Sequence, residues 1–113
     1  MSFMLTTSQM LEETKVVTRR LGWWNLKAGD VVMAVEKGMG LKKGEKVRRL
    51  YPIRVVSVRS EILAHISEED VLLEGFPNML PHEFVSMFMD THSCGPFEVV
   101  NRIEFRRLRE EEK

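Results

Sequence analysis

Three histidines and a single cysteine are the side chains of this 113-residue chain best suited to hold a metal or act as a soft nucleophile. Their spacing supports neither role. His65, His82 and His92 are far apart, and His92 with Cys94 makes one loose pair with no second pair at zinc-ligand spacing. No metal and no cofactor are expected. Cys94 lies in no catalytic-thiol signature and reads as a small buried or loop residue. Gly38, Gly40 and Gly44 match neither the dinucleotide fingerprint nor the phosphate-loop spacing, so nucleoside triphosphate chemistry has no support.

The segment from Thr14 to Trp24 carries more chemistry. On a strand, Val16, Thr18 and Arg20 point to one face while Lys15, Val17 and Arg19 point to the other, so Lys15 and Thr18 converge only across a twist or bulge. Two readings stand open: an edge strand whose charges deter edge pairing, or a strand that lines a site. Trp23 and Trp24 point opposite ways if extended, one packing inward and the other capping a cleft. The outward ring would offer a base a stacking face beside Arg19 or Arg20, core packing and plain surface exposure being the alternatives.

These residues need elements to position them. Thr6, Thr7 and Ser8 start a helix from about Ser8 to Glu13, and Val16 to Thr18 read as a strand. Val31 to Val35 is a short buried strand, and Ile53 to Val58 another, with Pro52 marking an edge or bend. Between them, Lys37 to Lys46 is a basic, glycine-rich hairpin-like loop. Ser67 and Asp70 resemble a capping box opening a helix to about Glu74, closed by Gly75. Pro81 opens a helix to about Thr91 whose Phe84, Met87 and Phe88 form one apolar stripe. Phe97 to Phe105 closes the sheet, with Val99, Ile103 and Phe105 on one side. This order is α+β.

With 43% hydrophobic and 30% charged residues, the chain suits one globular domain over residues 1–113, with a charged tail from about Arg106. No run approaches the ~20 apolar residues of a membrane span, and no export signal is visible. One cysteine allows no internal disulfide, so a cytoplasmic location is expected. The net charge of +0 hides a sorted chain: Glu36 to Arg59 carries +6, whereas Glu61 to Asp90 has no Lys or Arg and carries −7. Either a positive face opposes a negative one, or a solvated hairpin sits beside an acidic helical surface.

Lys15-x-x-Thr18-x-Arg20 resembles the [G]-x-K-x-x-T-x-R signature of the ASCH family, with Glu13 in place of the initial glycine. Leu26-Lys27-Ala28-Gly29-Asp30-Val31 resembles that family's turn into its next barrel strand. Gly22-Trp23-Trp24, the Gly/Lys loop, Glu74-Gly75-Phe76-Pro77 and Val100 to Phe105 extend the likeness to a short, phage- and prophage-associated subgroup. The resemblance implies a PUA-like mixed β-barrel of about five to six strands with two to three short helices. It also implies a cleft lined by the signature strand and a role with RNA or modified nucleosides.

One small bacterial branch of that family hydrolyses 4-acetylcytidine with a Lys, a Thr and a Glu. Lys15 and Thr18 match the first two, and Glu74 is the candidate for the third, with Glu61 and Glu69 as alternatives. That chemistry needs a Thr hydroxyl activated by a Lys whose pKa is lowered by desolvation, and a carboxylate managing protons at the leaving nitrogen. The leading expectation is a module that binds RNA or a nucleotide through Lys15, Arg19, Arg20, Trp23 and Trp24, with Lys42, Lys43, Lys46, Arg48 and Arg49 meeting phosphate. The rival is an amidohydrolase acting on an acylated nucleoside through Lys15, Thr18 and Glu74. A third class is a protein-binding factor using the acidic helical face.

Overall fold

The computed structural model describes residues 1–37, 44 and 46–110. A 3-10 turn at Met4–Thr6 leads into helix α1 (Thr7–Leu11), then strands β1 (Val17–Arg20), β2 (Val31–Val35) and β3 (Arg49–Ile62). A second 3-10 turn at Leu63–His65 precedes helices α2 (Glu68–Leu73) and α3 (Pro81–His92), and β4 (Val99–Arg107) closes the chain. The helix expected from Ser8 to Glu13 therefore ends earlier, because the chain turns at Glu13, whose φ is 59°.

The four strands form one sheet in the order β1-β4-β3-β2, with every neighbouring pair antiparallel. This corrects the expected mixed barrel of five to six strands: among the described residues there are four strands, curled into a half-barrel. The long β3 explains the smaller number. Its 14 residues pair with β2 along the first part and with β4 along most of the rest. Register shifts at Ala34/Val35 and at Val55/Ser57 add local twist, and β3 extends beyond both ends of the strand expected from Ile53 to Val58. Pro52 sits inside β3, opposite Met33 and just beyond the last β3–β4 pair, Ile53 with Arg107.

Two apolar clusters hold the sheet. Phe3, Met10, Ala34, Tyr51, Ile53 and Phe105 form one. Leu63, Ile66, Val71, Phe84, Phe88 and Val100 join α2 and α3 to the sheet in the other. The N-terminal segment closes the first cluster: Phe3 N donates to Val35 O at 2.8 Å, and Val35 N to Met1 O at 2.9 Å. Central β4 is buried at Val100, Asn101, Arg102 and Ile103, whereas Val99, expected on the inner side, is exposed at the strand's start.

Helix α2 starts and stops at the residues its sequence suggests. Ser67 Oγ accepts from Asp70 N at 3.1 Å. Asp70 leaves the reciprocal half of the box unmade, since its carboxylate turns to two arginines. Gly75 closes α2 at φ 101°, and a Cβ there would lie 2.9 Å from the Gln9 side chain and 3.3 Å from Lys15 Cβ. Glycine is thus required both by the backbone and by the approach of α1 and Lys15. Among the described residues, no helix is long and apolar enough to cross a membrane.

Candidate functional site

Lys15 precedes the first paired residue of β1, so strand alternation does not govern its direction. Val16 N donates to Leu73 O of α2 at 2.9 Å, while Val16 O accepts from Phe105 N at 2.9 Å. The backbone therefore bridges α2 and β4 here, and the β1–β4 register is regular, so the expected bulge is not needed. From this position Lys15 Nζ donates to Glu74 O at 2.9 Å and to Glu74 Oε1 at 2.5 Å. The ammonium thereby caps the C-terminal carbonyls of α2, where a cation is favoured.

Glu74 is the hinge of a larger buried network. Its Oε2 accepts from Arg19 Nη1 at 3.1 Å, and Arg19 also donates from Nε to Glu61 Oε2 at 2.8 Å and from Nη2 to Asp70. Asp70 takes a forked pair from Arg102, with Nε at 2.6 Å and Nη2 at 3.0 Å. Arg19 and Arg102 lie directly opposite each other in the sheet, a repulsive register that Asp70 bridges. Lys15, Arg19 and Arg102 thus face Glu61, Asp70 and Glu74, three charges against three. The Arg102 and Arg19 guanidiniums hold the Asp70 carboxyl down at about 2, despite opposition from burial. Burial alone would lower the Arg19 pKa, but Asp70, Glu74 and Glu61 together raise it.

Beside this network lies a cavity of about 220 Å³, lined by Lys15, Thr18, Arg20 and Glu74 and walled by Phe3, Phe76, Phe84 and Phe88. The N-terminal segment forms one wall, and α3 supplies another through Met87, Thr91 and His92. The His92 ring packs on Phe88 at a centroid distance of 4.1 Å. Arg20 is the cation that the network does not match. Its Nε donates to Thr18 Oγ1 at 3.1 Å and its guanidinium lies 4.7 Å from the Phe3 ring centre, yet no carboxylate pairs with it among the described residues. Burial pushes the Arg20 pKa down to about 10, with Glu74 opposing. Burial likewise lowers Lys15, with Glu74 opposing, and lowers His92, with Arg20 adding to the effect.

The structure therefore brings Lys15, Thr18, Arg19, Arg20 and Glu74 to one cavity and leaves the other described residues expected at the site outside it. Arg19, expected to contact nucleic acid, is only 3% exposed and its guanidinium is engaged by three carboxylates. Trp23 and Trp24 are both exposed and neither lines the cavity, against the expectation of one packed inward and one capping a cleft. Trp23 adopts φ 62°, and Asn101 Nδ2 holds the turn by donating to Gly22 O at 3.2 Å and Trp23 O at 2.9 Å. The segment is thus a tight turn, where the strand rule for adjacent rings does not apply.

Lys46, Arg48 and Arg49 are exposed, and Arg48 pairs with Glu36 at 3.1 Å. The expectation for Lys42 and Lys43 falls outside the described residues. Three of the seven acidic residues between Glu61 and Asp90 are engaged in the buried network, which removes much of the expected negative face. Sequence reasoning missed Asp70 and Arg102 and the aromatic walls. An arginine in the middle of the expected closing strand, Val100 to Phe105, was the available signal for Arg102. No group of three or more His, Cys, Asp or Glu suited to a metal occurs among the described residues.

Among solved structures, the fold is similar to the crystal structure of protein EF3133 from Enterococcus faecalis V583, family-model DUF984. The TM-score is 0.62 at 16% identity, over 89% of this chain and 68% of that one. At that identity the likeness is one of fold. No family model matches the sequence, and comparison with curated proteins gives no match.

Proposed function

We propose that the cavity receives one nucleoside unit of RNA, or a free modified nucleotide, as an ASCH-type binding domain would. The observation that carries this reading is Arg20, a half-buried arginine on the cavity wall with no carboxylate ion pair among the described residues. An arginine so placed favours a ligand that brings its own negative charge. The ring of such a ligand would lie against Phe84, Phe88 and His92, since aromatic faces accept bases by stacking. At about 220 Å³ the cavity is smaller than the ~300–1,000 Å³ of pockets for drug-sized ligands, which suits a single base-sized group. Ser2 lines the same cavity and donates from Oγ to Glu36 O at 3.3 Å, which links the wall to the end of β2.

A second reading, hydrolysis of an acylated nucleoside such as 4-acetylcytidine, draws on the 2.5 Å pair between Lys15 and Glu74 and on the lowered Lys15 pKa. In that reaction Thr18 Oγ attacks the acyl carbonyl as neutral Lys15 accepts its proton. The carbon–nitrogen bond breaks with proton return to the leaving nitrogen, and water then releases the acyl group from Thr18. The resting geometry favours binding over hydrolysis, because Thr18 Oγ1 is engaged by Arg20 and, among the described residues, Lys15 Nζ is engaged by Glu74. Titration with cytidine, cytidine monophosphate and 4-acetylcytidine, with acetate release followed in parallel, separates the two. Saturable binding without acetate is expected. Acetate release abolished by Thr18→Val would replace the binding reading with the hydrolytic one.

A further inference from the structure

The C-terminal part of β4 and the residues just beyond it bring Arg106, Arg107 and Arg109 beside Glu13, Lys15 and Tyr51, around a second hollow of about 340 Å³. The buried Lys15 lines both hollows. The Arg107 guanidinium lies 4.6 Å from the Tyr51 ring centre, and the Tyr51 hydroxyl is fixed by donation to Met10 O at 2.7 Å. Glu13 is the one carboxylate in this lining. One of its oxygens accepts from Arg107 Nη1 at 3.2 Å and the other from Arg109 Nη2 at 2.8 Å. Two guanidiniums therefore converge on the two oxygens of one anion, as they do on a phosphate.

Glu13 is the left-handed residue that ends α1, with Glu13 N donating to Met10 O at 3.1 Å and Thr14 N to Gln9 O at 2.9 Å, so the helix end sets where this carboxylate stands. Its pairs are solvent-exposed, with the Arg109 side chain 52% accessible, and pairs of that kind are weak and easily displaced.

We propose that Arg107 and Arg109 form a second site that takes a phosphodiester of single-stranded RNA, with the Glu13 carboxylate occupying that position until the RNA displaces it. The inference rests on the RNA reading for the identity of the ligand, and not on the chemistry of the cavity. A strand with one nucleoside in the cavity would pass Lys15 and set a flanking phosphate on the arginine pair.

The test is the binding of a short labelled single-stranded RNA, by fluorescence anisotropy across a salt series, to three proteins: wild type, Glu13→Gly, and Glu13→Gly carrying Arg107→Gln and Arg109→Gln. Removal of the competing carboxylate should tighten binding about threefold to fivefold near 0.1 M salt. It should also steepen the salt slope by about 0.7, one further phosphate. The added arginine substitutions should cancel both gains. No gain in Glu13→Gly, or a gain that survives loss of both arginines, overturns the proposal. Loss of the gain to excess inorganic phosphate at constant ionic strength, with no preference for RNA, overturns the phosphodiester assignment. If Arg20→Met leaves RNA binding unchanged while the Glu13→Gly gain persists, the cavity reading fails and the second site stands. Thermal melts of all variants identify any that fail to fold, and Glu13→Gln then tests the charge without the glycine.

Discussion

Replacing Asp70 with Asn removes the charge that bridges Arg19 and Arg102 while keeping the side chain's size. Asp70 is 7% exposed and accepts a forked pair from Arg102 at 2.6 and 3.0 Å, as well as a bond from Arg19. Breaking a buried pair from one side typically costs about 3–5 kcal/mol, because the surviving charge stays buried without its partner. Against a domain stability of about 5–15 kcal/mol, such a loss should lower Tm by roughly 10–25 °C. The pH dependence gives an independent check. A fall in the Asp70 pKa from 3.8 to about 2 corresponds to about 2 kcal/mol of stability. Because the folded value is the lower one, that stability is present above about pH 4 and is lost as pH falls toward 2. Urea denaturation from pH 7 down to the acid limit should show this loss in the wild type and not in Asp70→Asn. A variant within about 1 kcal/mol of wild type, with an unchanged acid limb, would refute the bridging account.

Other outcomes follow from the same geometry. Gly75→Ala should destabilise by about 1–3 kcal/mol in urea melts, because φ 101° strains any side chain and the new Cβ would meet Gln9 at 2.9 Å. Ile53→Ala, at a position with 0% exposure, should cost about 2–5 kcal/mol by the same measurement. Charge reversal at Lys42 and Lys43 should flatten the salt dependence of RNA binding, which otherwise falls with a slope of about −0.7 per neutralised phosphate. A thermal melt of that variant should show a change in stability of no more than about 0.5 kcal/mol.

Local chemistry made much of the frame readable from sequence. Val31–Val35 forms β2 with the expected bounds, Pro81 opens α3, and Ser67 and Gly75 bracket α2. Strand spacing alone set Lys15 on the face opposite Thr18 and Arg20, and only the expected family resemblance grouped these three with Glu74. What stayed hidden is non-local. Arg19 and Glu74 are 55 positions apart, and no periodicity in either segment signals that they meet. The stretch from Glu61 to Asp90 looked like an acidic surface because its counter-charges come from β1 and β4. β3 looked short because its later half carries Ser57, Arg59 and Glu61 among apolar residues, which reads as polar chain until its pairing with β4 is known. The turn at Trp23 was unreadable because φ 62° there falls on tryptophan, not on a glycine that would have marked it.

The cavity account is tested most directly by an NMR titration with a mononucleotide, in which Thr18, Arg20, Met87 and the Phe88 and His92 rings are followed together with the two tryptophan indoles. The account predicts saturable, concerted shifts at the cavity residues, near-constant signals from Trp23 and Trp24, and loss of the shifts in Arg20→Met. Saturable shifts at the indoles with a silent cavity would contradict it and move the binding surface to the exposed tryptophan turn.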